Sequence, residues 1–207
     1  MMASKTGTYT SKYLRVDLTR GTFLDIEPSP DEQRAYPGGS SFGVKVLYEE
    51  VPPEVEWSDP ENRLIVASGP LGGTRVNGSG TVSVVTKGAL TDGAASCQAN
   101  GFLGAYLRMN GYDGLVIQGA AEELSYLYVH DGQAELRSAT HLAGVDAWEM
   151  IDRLAEGLDV RPSEISVFGI GPAGEHMARF ACFVGDRGHV AGHNGTGAVM
   201  GSKKLKA

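Results

Sequence analysis

The chain has 207 residues and a formal net charge of −7, from 25 acidic and 18 basic residues. This charge disfavours a general nucleic-acid-binding surface, although it leaves room for a local basic site that binds an anion. Hydrophobic residues make up 42% of the chain and 29 residues are glycine, about twice the roughly 7% average usage. With no low-complexity stretch and no Gly at every third position, the composition excludes linkers and collagen and indicates a globular fold.

The cysteine content excludes a disulfide framework. Cys97 and Cys182 are far apart, and no CxxC pair is present to begin a zinc or iron–sulfur site. We therefore expect both as buried small residues. The N-terminal residues contain no apolar run and no stretch of 18 apolar residues occurs, so we expect a cytoplasmic protein that has no membrane partner.

The N-terminal part of the chain predicts strands separated by glycine loops. Residues 12–18 and 22–27 favour a hairpin, followed by a breaker run, PSPDEQ, at 28–33. Gly38 and Gly39 then open a short helix with Val44, Leu47 and Tyr48 at helical spacing. The pattern next predicts strands at 63–69, 81–87 and 114–119, and a helix at 100–109.

The C-terminal part begins with a second hairpin at 126–136, with a turn at Asp131-Gly132. Residues 146–158 form the clearest amphipathic helix, with Asp146 as the predicted N-cap. Its apolar stripe contains Trp148, Ile151, Leu154 and Leu158. Strands at 165–175 and 178–184, and a glycine loop leading into a helix at 194–201, complete the chain.

Two motifs recur in the same order in both parts. Gly-Pro-x-Gly follows a strand at 69–72 and at 171–174, and Asn-Gly followed by Gly-Ala opens a helix at 100–105 and at 194–198. We infer an α+β fold of two duplicated β-sheet halves with helices packed on them, about 1–119 and 120–207, in a single domain. The alternative is that Gly and Pro punctuate any α/β chain by chance.

The end of the sequence breaks the repeat. In the first half a strand follows the last helix at once, whereas only the lysine-rich segment 203–206 and Ala207 follow it in the second. The equivalent strand is therefore expected to be missing. Either the chain is a fragment cut at a domain boundary, or another chain supplies the strand.

Three glycine loops precede helices, at 38–43, 100–104 and 192–197. Such loops expose backbone N–H groups at the positive end of the helix dipole, where a phosphate binds well. None matches the GxxxxGK[ST] loop or a GxGxxG strand–helix setting, so ordinary ATP or dinucleotide binding is unsupported. The alternative for each loop is close helix packing alone.

Several ordered motifs together resemble a known family: LRVDLTRGT, YPGGSSFGVKVLYEEVPP, PENRLIVASGPLGGT, GSGTVSVVTKGALTDG, NGYDGLVIQG, GPAGEHMARFACFVGDRG and GTGAVMGSKKLKA. The chain resembles the N-terminal domain of the aldehyde ferredoxin oxidoreductase family, the tungsten enzymes. The resemblance implies a base for a tungsten, or molybdenum, bis-pyranopterin of the molybdopterin type, with a magnesium ion. It also implies that the catalytic and [4Fe–4S] domains are absent here.

The family's cofactor-binding motifs map onto this sequence with changed residues. The arginine of its GGRG loop falls on Ser40, after Gly38 and Gly39, and that of its GSGR motif falls on Thr81. Gln98 replaces the asparagine whose carbonyl reaches the magnesium, and GRAAGRGG becomes GHVAGHNG, so His189 and His193 replace arginines and Val190 supplies a second carbonyl. The predicted cofactor-binding residues are Gly38, Gly39, Ser40, Thr81, Gln98, Asn100, Gly101, Arg187, His189, Val190 and His193.

Some of these residues have simpler alternatives. His189 and His193 have a metal-ligand spacing if they lie on a helix, but the Val-Ala-Gly between them favours a loop of polar residues or phosphate donors. The cations near the same motifs are phosphate ligands or solvated surface charges: Arg75, Lys87, Arg108 and Arg187. No Ser/His/Asp or paired-carboxylate set is evident, so no catalytic residue is predicted.

Two functions follow. By resemblance, the chain is the cofactor-binding part of an oxidoreductase of anaerobic metabolism that acts on aldehydes with ferredoxin as acceptor, and it is inactive alone. Its partners are then the remaining domains or a separate catalytic chain, and ferredoxin indirectly through electron transfer. Alternatively, the replaced arginines indicate a cofactor-free, non-catalytic interaction or assembly module that uses an unpaired sheet edge or forms a homodimer.

Overall fold

The computed structural model describes Thr10 and residues 12–207. Its first half contains a six-stranded sheet in the order β2-β1-β6-β3-β4-β5. The strands are β1 (Tyr13–Asp17), β2 (Thr22–Ile26), β3 (Leu64–Ser68), β4 (Val82–Lys87), β5 (Ala94–Ala99) and β6 (Gly114–Gln118). β1 and β6 run parallel and the other neighbours antiparallel, so β6 lies in the middle of the sheet.

Both faces of this sheet are covered, which explains the continuous apolar run of β3. The helices of this half are α1 (Pro30–Ala35), α2 (Gly39–Glu50) and α3 (Leu103–Met109). Phe42 and Val46 of α2 pack on one face against Ile65 and Val85. The opposite face packs against α3 and the C-terminal half in one shared core.

The C-terminal half contains two smaller sheets, β7-β8 and β9-β10-β11. Its strands are β7 (Ser125–His130), β8 (Gln133–Ser138), β9 (Phe168–Gly169), β10 (Phe183–Gly185) and β11 (His189–Ala191). Its helices are α4 (Ala147–Gly157), α5 (Pro172–Glu175) and α6 (Thr196–Ser202). The mixture of sheets and packed helices confirms the predicted α+β class.

The expectation of a missing last strand is wrong, because the C-terminal segment, residues 204–207, joins the two smaller sheets. Leu205 forms a parallel bridge with Ser125 of β7. On the other side the Ile170 N–H donates to the Lys206 carbonyl at 2.9 Å. The segment therefore occupies the position that β6 has in the first half.

The pairing order supports the proposed duplication. With the C-terminal segment included, the second half has the order β8, β7, segment, β9, β10, β11, which repeats β2, β1, β6, β3, β4, β5. In both halves a helix, α2 or α4, lies between the hairpin and the next strand. The duplication and the division near residue 119 stay predictions.

The two halves also contact each other in a reciprocal manner. The turn between β10 and β11 reaches the start of α3, where Asp186 Oδ2 accepts a hydrogen bond from the Phe102 N–H at 2.6 Å. The turn between β4 and β5 reaches the loop before α6, where the Leu90 N–H donates to the Asn194 carbonyl at 3.4 Å. Each half thus contacts the Asn-Gly loop of the other.

Several local predictions differ from the structure. The breaker run begins α1, because Ser29 and Glu32 form a capping box around Pro30. The sequence missed β5, and the strands expected at 165–175 and 178–184 are much shorter. Helix α2 begins where predicted, but its buried face uses Phe42, Gly43, Val46 and Leu47, and it leaves Val44 and Tyr48 exposed.

Helix α4 matches its prediction closely. The Asp146 side chain accepts from the N–H groups of Trp148 and Glu149, both at 2.9 Å. Ile151 and Leu154 are buried, whereas Trp148 is 49% exposed and lies outside the buried stripe. Within the described part of the chain, no helix has the length and apolar character needed to cross a membrane.

Candidate functional site

The N-terminus of α2 forms an uncapped helix start. Gly38, the N-cap, has φ +107° and Gly39 has φ +54°, and no side chain caps the helix. A Cβ on Gly38 would lie 2.4 Å from the Ser68 carbonyl oxygen, so only glycine fits there. The first turn holds no acidic residue, so its N–H groups and dipole are available to an anion.

Three serine hydroxyls lie beside this helix start. Ser40 Oγ donates to Ser83 Oγ of β4 at 3.1 Å and lies 2.7 Å from Ser96 Oγ of β5. Ser83 is directly opposite Gln98 in the β4–β5 register, so the amide of Gln98 extends the same face. We call this face, with Ser40, Ser83, Ser96 and Gln98, the hydroxyl face.

Thr81 and Asn100 continue the hydroxyl face beyond the strand ends. Thr81 Oγ1 donates to Asn100 Oδ1 at 2.7 Å, and by strand alternation both residues lie on the side of Ser83 and Gln98. The structure therefore brings together six predicted site residues: Gly38, Gly39, Ser40, Thr81, Gln98 and Asn100. Ser83 and Ser96 were not among the predicted residues. The sequence signal that could have identified them is the alternation of polar residues along the two neighbouring segments, Thr81 and Ser83 in one and Ser96 and Gln98 in the other.

The start of α3 is already occupied by a carboxylate. A Cβ on Gly101 would lie 2.7 Å from Asp186 Oδ2, the atom that accepts from the Phe102 N–H. Asp186 Oδ1 also accepts from the Val167 N–H at 3.1 Å and from Ser166 Oγ at 2.9 Å. This helix start therefore offers no place for a phosphate. No sequence motif indicated Asp186, because its partners are distant in sequence.

The predicted residues of the second half lie around β11. His189 and Val190 belong to this strand, opposite Gly185 and Val184, and β11 lies beside β5. His193 follows the strand and is exposed. The segment is not helical, so it lacks the geometry on which the metal-ligand spacing argument depends. Among the described residues, no group of three or more His, Cys, Asp or Glu side chains is placed to hold a metal ion.

The cations near these motifs have protein partners in most cases. Arg187 forms an ion pair with Asp152 of α4. The Lys87 ammonium donates to the Val55 carbonyl at 2.6 Å. Arg108 lies 3.4 Å from the Asp113 carboxylate, whereas Arg75 is exposed.

The two cysteines differ in environment. Cys97 is buried as predicted, and its burial raises the pKa of its thiol. Cys182 is only partly buried, so the prediction for it is wrong in degree. Its sulfur lies beside the Gly192 carbonyl, 3.9 Å away, in the loop that follows β11.

The start of α6 is closed by backbone contacts. A Cβ on Gly195, which has φ +70°, would lie 2.0 Å from the Arg179 carbonyl oxygen. The first helical residue, Thr196, is fully buried and donates through Oγ1 to the Ala191 carbonyl at 3.1 Å. Of the three glycine loops, the one before α2 is therefore the one that fits a phosphate, with N–H groups and neutral hydroxyl donors.

Comparison with known proteins agrees with this architecture. The family model described as "Aldehyde ferredoxin oxidoreductase, N-terminal domain" matches residues 13–207. The chain belongs to this family. It is 39% identical over 199 residues to a "Tungsten-containing aldehyde ferredoxin oxidoreductase" of Pyrococcus abyssi, with 96% of this chain and 32% of that protein covered.

Two further relatives of the aldehyde ferredoxin oxidoreductase N-terminal domain show the range of the similarity. An "Aliphatic sulfonate oxidoreductase, WOR-like subunit" of Pyrococcus furiosus is 36% identical, with 96% of this chain and 34% of that protein covered. Among solved structures, a chain of the active site complex BamBC of benzoyl coenzyme A reductase, in complex with 1,5-dienoyl-CoA, matches with a TM-score of 0.92 and 36% identity. That match covers 97% of this chain and 30% of that one. The chain thus spans about a third of the length of the relatives it matches.

Proposed function

We propose that the chain is the cofactor-binding domain of a tungsten- or molybdenum-containing oxidoreductase and is not active alone. The observation that carries the proposal is the uncapped start of α2 with the hydroxyl face beside it, in a fold that matches tungsten-containing relatives. A bound bis-pyranopterin would supply the redox chemistry. The chain's part is to bind and orient that cofactor.

The phosphate of one pterin would be held at the start of α2. The first-turn N–H groups would donate to its oxygens. The hydroxyls of Ser40, Ser83 and Ser96, which hydrogen-bond to one another without the phosphate, would turn toward it, and Gln98 would be an amide donor. Where the family motif has a charged, bidentate arginine, this chain has the neutral Ser40. We therefore expect weaker and less salt-sensitive phosphate binding than an arginine would give.

The remaining predicted ligands belong to the same proposal. Carbonyl groups of Gln98 and Val190 would bind the magnesium ion, and their strands, β5 and β11, lie side by side. His189 and His193 would donate to the second pterin. The aldehyde substrate, ferredoxin as acceptor, a [4Fe–4S] cluster and the further domains or catalytic chain are proposed from the relatives' names and lengths.

The alternative is a cofactor-free interaction or assembly module that also forms homodimers. Two observations favour it. The Asp186 carboxylate occupies the start of α3, and Arg187 forms an ion pair with Asp152. The Phe102 N–H at that helix start and the Arg187 guanidinium are therefore already paired within the protein and do not bind an added anion.

The deciding measurement is metal and pterin analysis of the full-length protein, purified without oxygen from a host supplied with tungstate. We expect tungsten or molybdenum together with an oxidised-pterin fluorescence signal. In Ser40→Asp, a carboxylate at the helix start should repel the phosphate and reduce bound metal and pterin at least tenfold. Val44→Asp is the matched control, since Val44 lies on the exposed side of the same helix, and its metal and pterin content should stay unchanged.

Two results would contradict the proposal. Protein purified with its partner chains that contains neither metal nor pterin would favour the interaction module. Equal cofactor content in Ser40→Asp and Val44→Asp would show that the start of α2 does not hold the phosphate.

A further inference from the structure

We propose that an apolar cavity between the two halves, separate from the hydroxyl face, binds a neutral apolar molecule of one or two rings. The cavity has a volume of about 430 Å³. Its walls are α3, hairpin β7–β8, the end of α4 and residues 164–168. Lining side chains include Leu103, Leu107, Tyr126, Tyr128, Leu154 and Phe168.

The cavity extends from the surface into the shared core. At its inner end lie Val66, Met200 and Leu205, each no more than 2% exposed. At its outer end lies Met109, which is 78% exposed. A ligand can therefore enter from solvent and contact the apolar side chains of the core.

Several polar groups along the walls already have partners within the protein. Ser166 Oγ donates to Asp186, and Asn110 Nδ2 donates to the Tyr106 carbonyl at 2.9 Å. His130 Nε2 lies 3.0 Å from Glu135 Oε1. Water inside the cavity would find few hydrogen-bond partners, and an apolar cavity of this kind gains contacts when an apolar molecule fills it.

Hydrogen bonds across the cavity rim hold its walls in place. The Tyr106 hydroxyl donates to the Ser163 carbonyl at 3.2 Å, and the Tyr112 hydroxyl donates to the Gly132 carbonyl at 3.1 Å. These bonds join the first half to the 162–168 segment and to the tip of hairpin β7–β8. The cavity is therefore preformed, which lowers the cost of ordering on binding.

Volume and charge select the ligand class. An apolar cavity of about 150 Å³ binds benzene, and small-molecule pockets begin near about 300 Å³, so this cavity accommodates a two-ring molecule. The exposed carboxylate of Asp131 lines its mouth, whereas that of Glu164 is paired with Arg161 at 2.7 Å. Asp131 disfavours an anion such as a fatty carboxylate, because no Lys or Arg among the described residues lines the cavity to offset its charge.

The test uses prodan, a neutral naphthalene fluorophore with two rings that brightens in apolar surroundings, with the full chain. We expect a saturable signal at one site per chain, displaced by naphthalene but not by decanoate. Leu103→Trp fills the cavity and should weaken binding at least tenfold. Leu124→Trp, a similarly half-buried leucine that does not line the cavity, should leave binding unchanged.

A second cavity variant is available if the first does not fold. If Leu103→Trp does not fold, as judged by circular dichroism, Leu158→Trp at the mouth replaces it. No saturable signal, equal binding by the cavity and control variants, or displacement by decanoate as effective as by naphthalene would each overturn the proposal.

Discussion

The buried side chain of Lys203 should make the stability of the protein depend on pH. Its side chain is fully buried, and its ammonium donates to the carbonyls of Asn62 at 2.7 Å, Gly119 at 3.2 Å and Pro60 at 3.3 Å. Burial, with a smaller contribution from the Arg63 charge, lowers the pKa of the ammonium from 10.5 to about 7. The charges of Glu61 and Asp59 oppose this shift without cancelling it.

The lowered pKa predicts that this group makes the free energy of unfolding rise with pH. Between about pH 7 and 10.5 the unfolded chain keeps a proton that the folded chain releases, so stability grows by up to about 1.4 kcal/mol per pH unit. From pH 7 to pH 9 the gain is about 2 kcal/mol. Below about pH 7 both states carry the proton, and the slope from this residue disappears.

The assay is urea denaturation at pH 7 and pH 9 with reductant present, for the wild type, Lys203→Met and Lys204→Met. The wild type should gain about 2 kcal/mol more than Lys203→Met over this interval. Lys204→Met, which removes the neighbouring exposed lysine, should follow the wild type. Equal pH dependence in the wild type and Lys203→Met would refute the reasoning.

Two further predictions concern packing. Asp186→Ala removes the acceptor for the Phe102 N–H. It should lower the free energy of unfolding, measured by urea denaturation, by about 2 to 3 kcal/mol. A loss below about 0.5 kcal/mol would argue against a role of Asp186 in joining the halves. Gly114→Ala places a Cβ 2.3 Å from the Val66 carbonyl oxygen and should lower the free energy of unfolding by about 3 kcal/mol or more. In the control Gly157→Ala the new Cβ has no atom within 4 Å, so the melting temperature should stay the same or rise slightly.

The sequence predicted elements whose signals are local. Helix α4 has a capping aspartate and a clear apolar stripe, and the two hairpins have alternating residues around short turns. It missed β5, AASCQA, because small residues have weak strand propensity, and tertiary pairing with β4 decides the structure there. The capping box at Ser29 was a local signal for α1 that the breaker interpretation overlooked.

The candidate site was predictable only in part. Thr81 and Gln98 share a face because strand alternation projects them there, and Ser40 reaches that face from α2 through Ser83 and Ser96. That this face binds a cofactor stays a prediction. The role of Asp186 could not be predicted, since its contact with Phe102 spans 84 residues and depends on how the halves pack. The repeat predicted a strand after the last helix, but the lysine-rich residues 203–206 lack the apolar run that would identify the C-terminal segment as that strand.

The position of the C-terminal segment has a consequence for synthesis on the ribosome. The first sheet can close once β6 has emerged, because β6 fills the gap between β1 and β3. The second half must wait for residues 204–207, which fill the gap between β7 and β9. Until then both small sheets have an open edge, so nascent chains in which residues 204–207 have not emerged should be more sensitive to protease than chains in which they have.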